Sequence, residues 1–180
     1  MFKMRVDEEL ELVLVCQEVI ADFQRLRLSN LGYLSQWLMW VPVCVSRNDF
    51  QSYVDESVRG YGRGESMNCA ILYRGEVVGA AAFNQIHRQT GRVEIGYWLD
   101  EGHQGRGIIT RCVQFLIDYA FEQLNMEKVE IRAAVDNRPS RNVAERLGMN
   151  LEGVQTRAEC VGDRVLDHAI YGLLRSDYHK

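Results

Sequence analysis

Arg92–Thr110, RVEIGYWLDEGHQGRGIIT, divides into three parts. Val93, Ile95, Tyr97 and Leu99 alternate with Glu94, Gly96 and Trp98, the period of two that marks a strand. Asp100–His103 is a short polar loop. Gln104-Gly105-Arg106-Gly107 then opens a segment of period near 3.6. Ile108, Ile109, Cys112, Val113, Leu116, Tyr119, Ala120 and Leu124 fall on one broad face, with Arg111, Gln114, Asp118 and Glu122 opposite.

Strand, glycine turn and helix together outline an anion site. Glycines carry no Cβ, so successive backbone N–H groups in the turn can converge on one point. The first turn of the helix leaves further N–H groups unpaired, and the helix dipole adds positive partial charge. Arg106 contributes a full charge. Two glycines alone would mean only a tight loop, but the succession of elements makes a phosphate or pyrophosphate the expected guest. No Gly-Lys-Ser/Thr follows, which excludes a Walker loop, and Thr110 stands where a dinucleotide fingerprint needs glycine.

Outward from this stretch, Glu9–Val15 reads as a first strand and Gln17–Leu28 as a helix. Ser29-Asn30 is a break with capping chemistry, and Leu31, Leu34, Trp37 and Leu38 continue on a second helical face, closed at Trp40-Val41-Pro42. Trp37 and Trp40 suit core packing and pocket wall equally. Ser46 precedes a helix carrying Phe50, Tyr53, Val54 and Val58, which is expected to end at the glycines around Tyr61. Cys69–Tyr73 and Val77–Phe83 flank the hairpin signal Arg74-Gly75-Glu76. After the long helix, Val129, Ile131, Ala133 and Val135 predict a strand returning beside the organising one. Pro139, Val143, Ala144 and Leu147 predict a short helix stopped by Gly148, and Glu152–Val161 and Val165–Leu174 two last strands. The expectation is a single α/β domain over residues 1–180, with a mixed central sheet of about seven strands flanked by helices.

With 180 residues, of which 47% are apolar and 26% charged, the composition is that of an ordinary globular protein. A net charge of −4 without any Lys/Arg run argues against nucleic acid as a partner. Cys16, Cys44, Cys69, Cys112 and Cys160 are odd in number and widely spaced, so neither a disulfide framework nor a zinc site is expected. The sequence shows no basic-then-apolar leader and no apolar run of spanning length, and a cytoplasmic protein without membrane contact is expected. His87, His103 and His168 pair with no nucleophile in the sequence and are read as surface or structural residues.

The order of elements and the turn Gln104-Gly105-Arg106-Gly107-Ile108 resemble the GNAT N-acetyltransferase superfamily, whose pyrophosphate signature is Q/R-x-x-G-x-G/A. Ile109 departs from it, standing where Gly or Ala is usual, and this looks like the branch of RimL-type ribosomal-protein-serine acetyltransferases. Asn30-x3-Leu34-x2-Trp37-Leu38-x-Trp40-Val41, Glu94–Leu99, Asn137-x2-Ser140-x2-Val143–Gly148, and Arg157-Ala158-Glu159 through Asp167-His168 to Tyr171 carry the same resemblance. Met39 replaces the proline usual between the tryptophans, and Met149 the phenylalanine usual after Gly148.

The resemblance implies acetyl-CoA as cosubstrate and direct transfer to an amine in a ternary complex, with no metal. Tyr97, Trp98 and Leu99 would meet the pantetheine and thioester carbonyl. Gln104, Gly105, Arg106, Gly107, Ile108, Ile109 and Thr110 would hold the pyrophosphate, and Asn137 would lie against the cofactor. Many relatives place a tyrosine acid where Ala144 stands, so a generic tyrosine mechanism fails. The RimL-type pair falls on Ser140 and Glu159, residues that read by themselves as a helix cap and a solvated strand position. The acceptor implied is a protein N-terminal α-amine. A small amine (antibiotic, polyamine or aminoacyl-nucleotide) is the alternative within enzymes, and a non-catalytic acyl-CoA-binding protein the alternative outside them. A homodimer is possible by the same resemblance.

Overall fold

The computed structural model describes residues 2–178. Eight strands form one sheet: β1 (Lys3–Arg5), β2 (Leu10–Leu14), β3 (Met67–Tyr73), β4 (Glu76–His87), β5 (Arg92–Leu99), β6 (Lys128–Ala134), β7 (Asn150–Val161) and β8 (Arg164–Leu174). Their order is β1-β2-β3-β4-β5-β6-β8-β7, antiparallel throughout except for β5 and β6. The expected count was seven; the eighth is β1, three residues paired to β2 with one buried side chain, too short to show a period.

The helices are α1 (Ile20–Ser29), α2 (Leu31–Leu34), α3 (Arg47–Arg63), α4 (Ile108–Glu122) and α5 (Arg138–Arg146). α4 lays Cys112, Val113, Leu116 and Ile117 on Val93, Ile95 and Ile131, on one face of the sheet. On the other face, Phe23 of α1 and Phe50 and Val54 of α3 pack over Ala70, Leu72 and Ala80. Among the described residues no helix is long and apolar enough to cross a membrane.

Three sequence expectations change. The second helix stops at Leu34 and continues as turns towards Pro42, whose ring nitrogen has no hydrogen for a helical bond. Asn30 does not cap α2. Its side chain donates to Leu26 O (2.8 Å) and Asp100 Oδ1 (2.6 Å) and accepts from Glu101 N (2.8 Å), tying α1 to the loop after β5. Ser46, which precedes α3 as expected, forms a reciprocal capping box with Asp49, but α3 runs past Gly60 and Gly62 to Arg63.

The feature that positions the site is a split in the sheet. β5 and β6 pair only from Arg92↔Lys128 to Ile95↔Ile131. Beyond that, Gly96–Leu99 pair with β4 alone, and Arg132–Ala134 with β8 alone. Two parallel strands that part leave backbone N–H and C=O groups along the facing edges without ladder partners, free for a guest.

Candidate active site: two clefts that meet at Ser140

One cleft, of about 570 Å³, opens between the split and the start of α4. Its floor is Tyr97, Trp98 and Leu99, and its far end is Gln104, Gly105, Gly107, Ile108, Ile109 and Thr110. Gly105 and Gly107 have φ of +74° and +70°, left-handed conformations that side chains disfavour, and a Cβ on either would meet no protein atom within 4 Å. Gly107 is the N-cap of α4 and no side chain caps the helix. The first-turn N–H groups therefore face the open end of the cleft.

Charge at that end comes from a residue to which the sequence reading gave no role. Arg146, in the last turn of α5, lines the cleft and donates to Thr110 Oγ1 at 3.2 Å. Arg106, expected to supply it, is not among the lining residues, and its guanidinium turns back to the Gly102 carbonyl at 3.3 Å. The nearest sequence signal for Arg146 was its place in the Val143–Gly148 motif, but only the packing of α5 beside α4 brings it to the glycine turn. The other ten residues expected at the cofactor all line this cleft. Backbone donors, a cationic rim and an apolar wall of Leu34, Trp37, Leu38 and Val143 fit an acyl-CoA, diphosphate at the helix and pantetheine along β5.

A second cleft, of about 710 Å³, lies across the split. The two share Trp37, Leu38, Tyr97, Trp98, Asn137 and Ser140 as a common wall. At one end the second cleft is aromatic: Trp98 stands edge-on to Phe23 (centroids 5.3 Å apart) and tilted against Trp40 (5.7 Å). Trp37 and Trp40 are thus pocket wall, with Trp40 also packing on Phe50. The other end is polar, with Asn84, Glu94, Arg132, Glu159 and His168. Arg132 is committed on three sides, to Glu130 (2.8 Å), Glu94 (3.3 Å) and Gln155 (3.1 Å). Burial would raise the Glu130 carboxyl, but hydrogen bonds from Arg132 and Arg92 outweigh it and hold it below the usual range.

Local structure explains how the two expected catalytic positions arrive here. Ser140 is not the cap of α5; Asn137 is, accepting from Ser140 N at 3.3 Å, with Pro139 in the first turn. The Ser140 hydroxyl is left to face the split, where the Tyr97 hydroxyl lies 3.1 Å from Oγ and 3.0 Å from the Ser140 carbonyl. Burial pushes the Tyr97 phenol up to about 12, so it stays protonated at neutral pH. Glu159 reaches the second cleft through an irregularity in β7. Between the pairs Gln155↔His168 and Glu159↔Leu166, three residues of β7 stand against one of β8. Arg157 sits there at φ +53°, its N–H held by Asp167 Oδ1 at 2.7 Å. This bulge turns Ala158 and Glu159 towards the split. Tyr171, at the end of the same motif, anchors α5 by donating to Glu145 (2.7 Å) and accepting from Arg141 (2.9 Å).

A cleft that fits an acyl-CoA, sharing a wall with a second cleft that holds a carboxylate, suits a transferase with two substrates bound side by side. The chain belongs to the acetyltransferase family: the profile described as an acetyltransferase (GNAT) domain matches residues 14–150. It is 35% identical over 167 residues to the ribosomal-protein-serine acetyltransferase of Escherichia coli (strain K12), with 93% of each chain covered. Among solved structures it matches the RimL ribosomal-protein alpha-N-acetyltransferase in complex with coenzyme A at TM-score 0.93 and 28% identity, covering 98% of this chain and 100% of that one. The microcin C7 self-immunity acetyltransferase MccE, in complex with acetyl-CoA and AMP, matches at TM-score 0.90 and 26% identity, with 95% of each chain covered. The protein is an N-acetyltransferase, and acetyl-CoA is its cosubstrate.

Proposed function

We propose that the acceptor is a protein N-terminal α-amine of the ribosomal-protein type, acetylated by direct attack while both substrates are bound. The observation that carries this reading is the arrangement at the split: Glu159 in the second cleft only, and Ser140 on the wall between the two. The E. coli relative is named for acetylating a ribosomal-protein serine. The second cleft gives an extended peptide room for a terminal residue between the aromatic end and Glu159.

When bound, acetyl-CoA supplies the acyl group as a thioester. Glu159 accepts the proton from the incoming ammonium, directly or through one water, and releases the nucleophilic amine. The edge of β5 at Trp98 and Leu99 offers backbone N–H to the carbonyl oxygen as negative charge grows there. Ser140 hydrogen-bonds the departing sulfur through its hydroxyl, which Tyr97 holds in place, and the second proton, shed by nitrogen as the C–S bond breaks and the amide forms, ends on the CoA thiol. The clefts supply proximity by holding both reactants on either side of one wall. The test is a library of peptides varied at the first two positions, alongside spermidine as a small-amine control, with labelled acetyl-CoA. Acetylation confined to peptide α-amines is expected. Turnover of spermidine with all peptides inert would replace this reading with the small-amine one.

A further inference from the structure

His168 was set aside in the sequence because no nucleophile lay near it, yet its Nε2 lies 3.2 Å from Glu159 Oε2. Resting on the reading of Glu159 as base, we infer that His168 is the positioning residue for that carboxylate and keeps it aimed across the split at the acceptor amine.

Three observations support this. Glu159 and His168 line the same cleft, with side chains only 28% and 15% exposed, so neither is simply solvated. The remaining cation of that wall, Arg132, is held by Glu130, Glu94 and Gln155. His168 is therefore the side chain left to meet the Glu159 carboxylate on that wall among the described residues. Finally, Glu159 is the first residue at which β7 rejoins β8, opposite Leu166, directly after the bulge that holds Arg157 at positive φ, so the bulge sets which way its side chain leaves the strand. His168 itself is fixed, since it sits in regular register opposite Ala134 of β6. A strand residue in regular register thus meets a carboxylate that stands at the edge of a bulge. The contact lies at hydrogen-bond distance but short of hydrogen-bond alignment, as acid–base contacts often are before substrate binds.

The experiment compares wild type, His168→Ala, His168→Gln, Glu159→Gln and the His168→Ala/Glu159→Gln double variant. Steady-state kinetics use acetyl-CoA with a serine-initiated heptapeptide and with spermidine, and calorimetry with CoA reports the folded donor cleft. Loss of Glu159's aim predicts that His168→Ala lowers kcat about tenfold with CoA affinity unchanged, and that His168→Gln, which keeps an N–H at the same reach, recovers most of it. In the Glu159→Gln background the same alanine should cost less than about twofold, because coupled residues are not additive. Wild-type kcat in His168→Ala, or a full loss on top of Glu159→Gln, overturns the inference while leaving Glu159 as base. Wild-type kcat in Glu159→Gln, or no turnover by wild type with either acceptor, overturns the underlying reading as well.

Discussion

The two clefts are made of different material. The donor cleft presents main chain: the edge of β5, two glycines at positive φ and the uncapped first turn of α4. The acceptor cleft presents side chains drawn from α1, α3, α5 and every strand from β3 to β8. A CoA-binding surface of backbone tolerates changes of side chain and answers to conformation. An acceptor surface of side chains can be re-specified one substitution at a time, and the proposed chemistry sits where the two meet.

The largest test of that division is Glu159→Gln. Glutamine keeps size and hydrogen bonding but takes no proton, so kcat should fall about 10²-fold or more while acetyl-CoA affinity holds. Calorimetry beside stopped assays separates the two. A parallel loss of CoA affinity would mean that the clefts are one site energetically.

Gly107→Val reverses the logic. The valine Cβ has open space, so the penalty is conformational: a β-branched residue at φ +70° costs about 1–3 kcal/mol, which the chain relieves by distorting the turn. CoA dissociation should become about tenfold weaker or more, in a variant that still folds and still binds an acceptor analogue. An unchanged dissociation constant in folded protein would show that the glycine turn does not hold the cofactor.

Legibility followed the same line. The donor cleft was readable because it is nearly contiguous, from Tyr97 to Thr110, and because φ and N–H direction are written in glycines. For its charge the sequence offered Arg106 alone, since Arg146 joins the lining through the packing of α5 on α4 and no local pattern encodes that. The acceptor cleft was readable only by resemblance. Neither the β7 bulge nor the positive φ of Arg157 has a glycine to announce it, and without the bulge nothing in the sequence brings Glu159 to His168. β1 was missed because three residues carry no period.

Arg146→Gln sharpens the donor side further. One charge at a partly exposed rim should cost about three- to tenfold in CoA affinity, and the difference from wild type should shrink in high salt as screening grows. The Arg106→Gln variant serves as comparison, with a smaller effect expected because its guanidinium bonds Gly102. If Arg106 proves the more costly, the charge at the phosphate end belongs to the turn after all.

The smallest effect concerns the tie that holds the loop into the donor cleft and touches neither substrate. Asp100 accepts from Asn30 Nδ2 at 2.6 Å and lies 2.6 Å from His103 Nδ1, with only 17% of its side chain exposed. Burial alone would raise its carboxyl; the hydrogen bonds from His103 and Asn30 outweigh burial and hold it below the ordinary 3.8. A carboxyl depressed by folding contributes stability that is present above its unfolded value and is lost as pH falls through the folded one. Asp100→Asn keeps the shape and removes the charge, so near neutral pH it should cost about 1 kcal/mol. That corresponds to a Tm lower by roughly 2–4 °C for a chain of this length. The gap between wild type and variant should then close below pH 3.8, where wild-type Asp100 protonates in turn. Scanning calorimetry from pH 7 down to pH values that still permit folding measures it, with kcat as a control that should stay level. A gap that is constant with pH would assign the tie to shape and hydrogen-bond count, leaving the charge of Asp100 without a part in holding the loop.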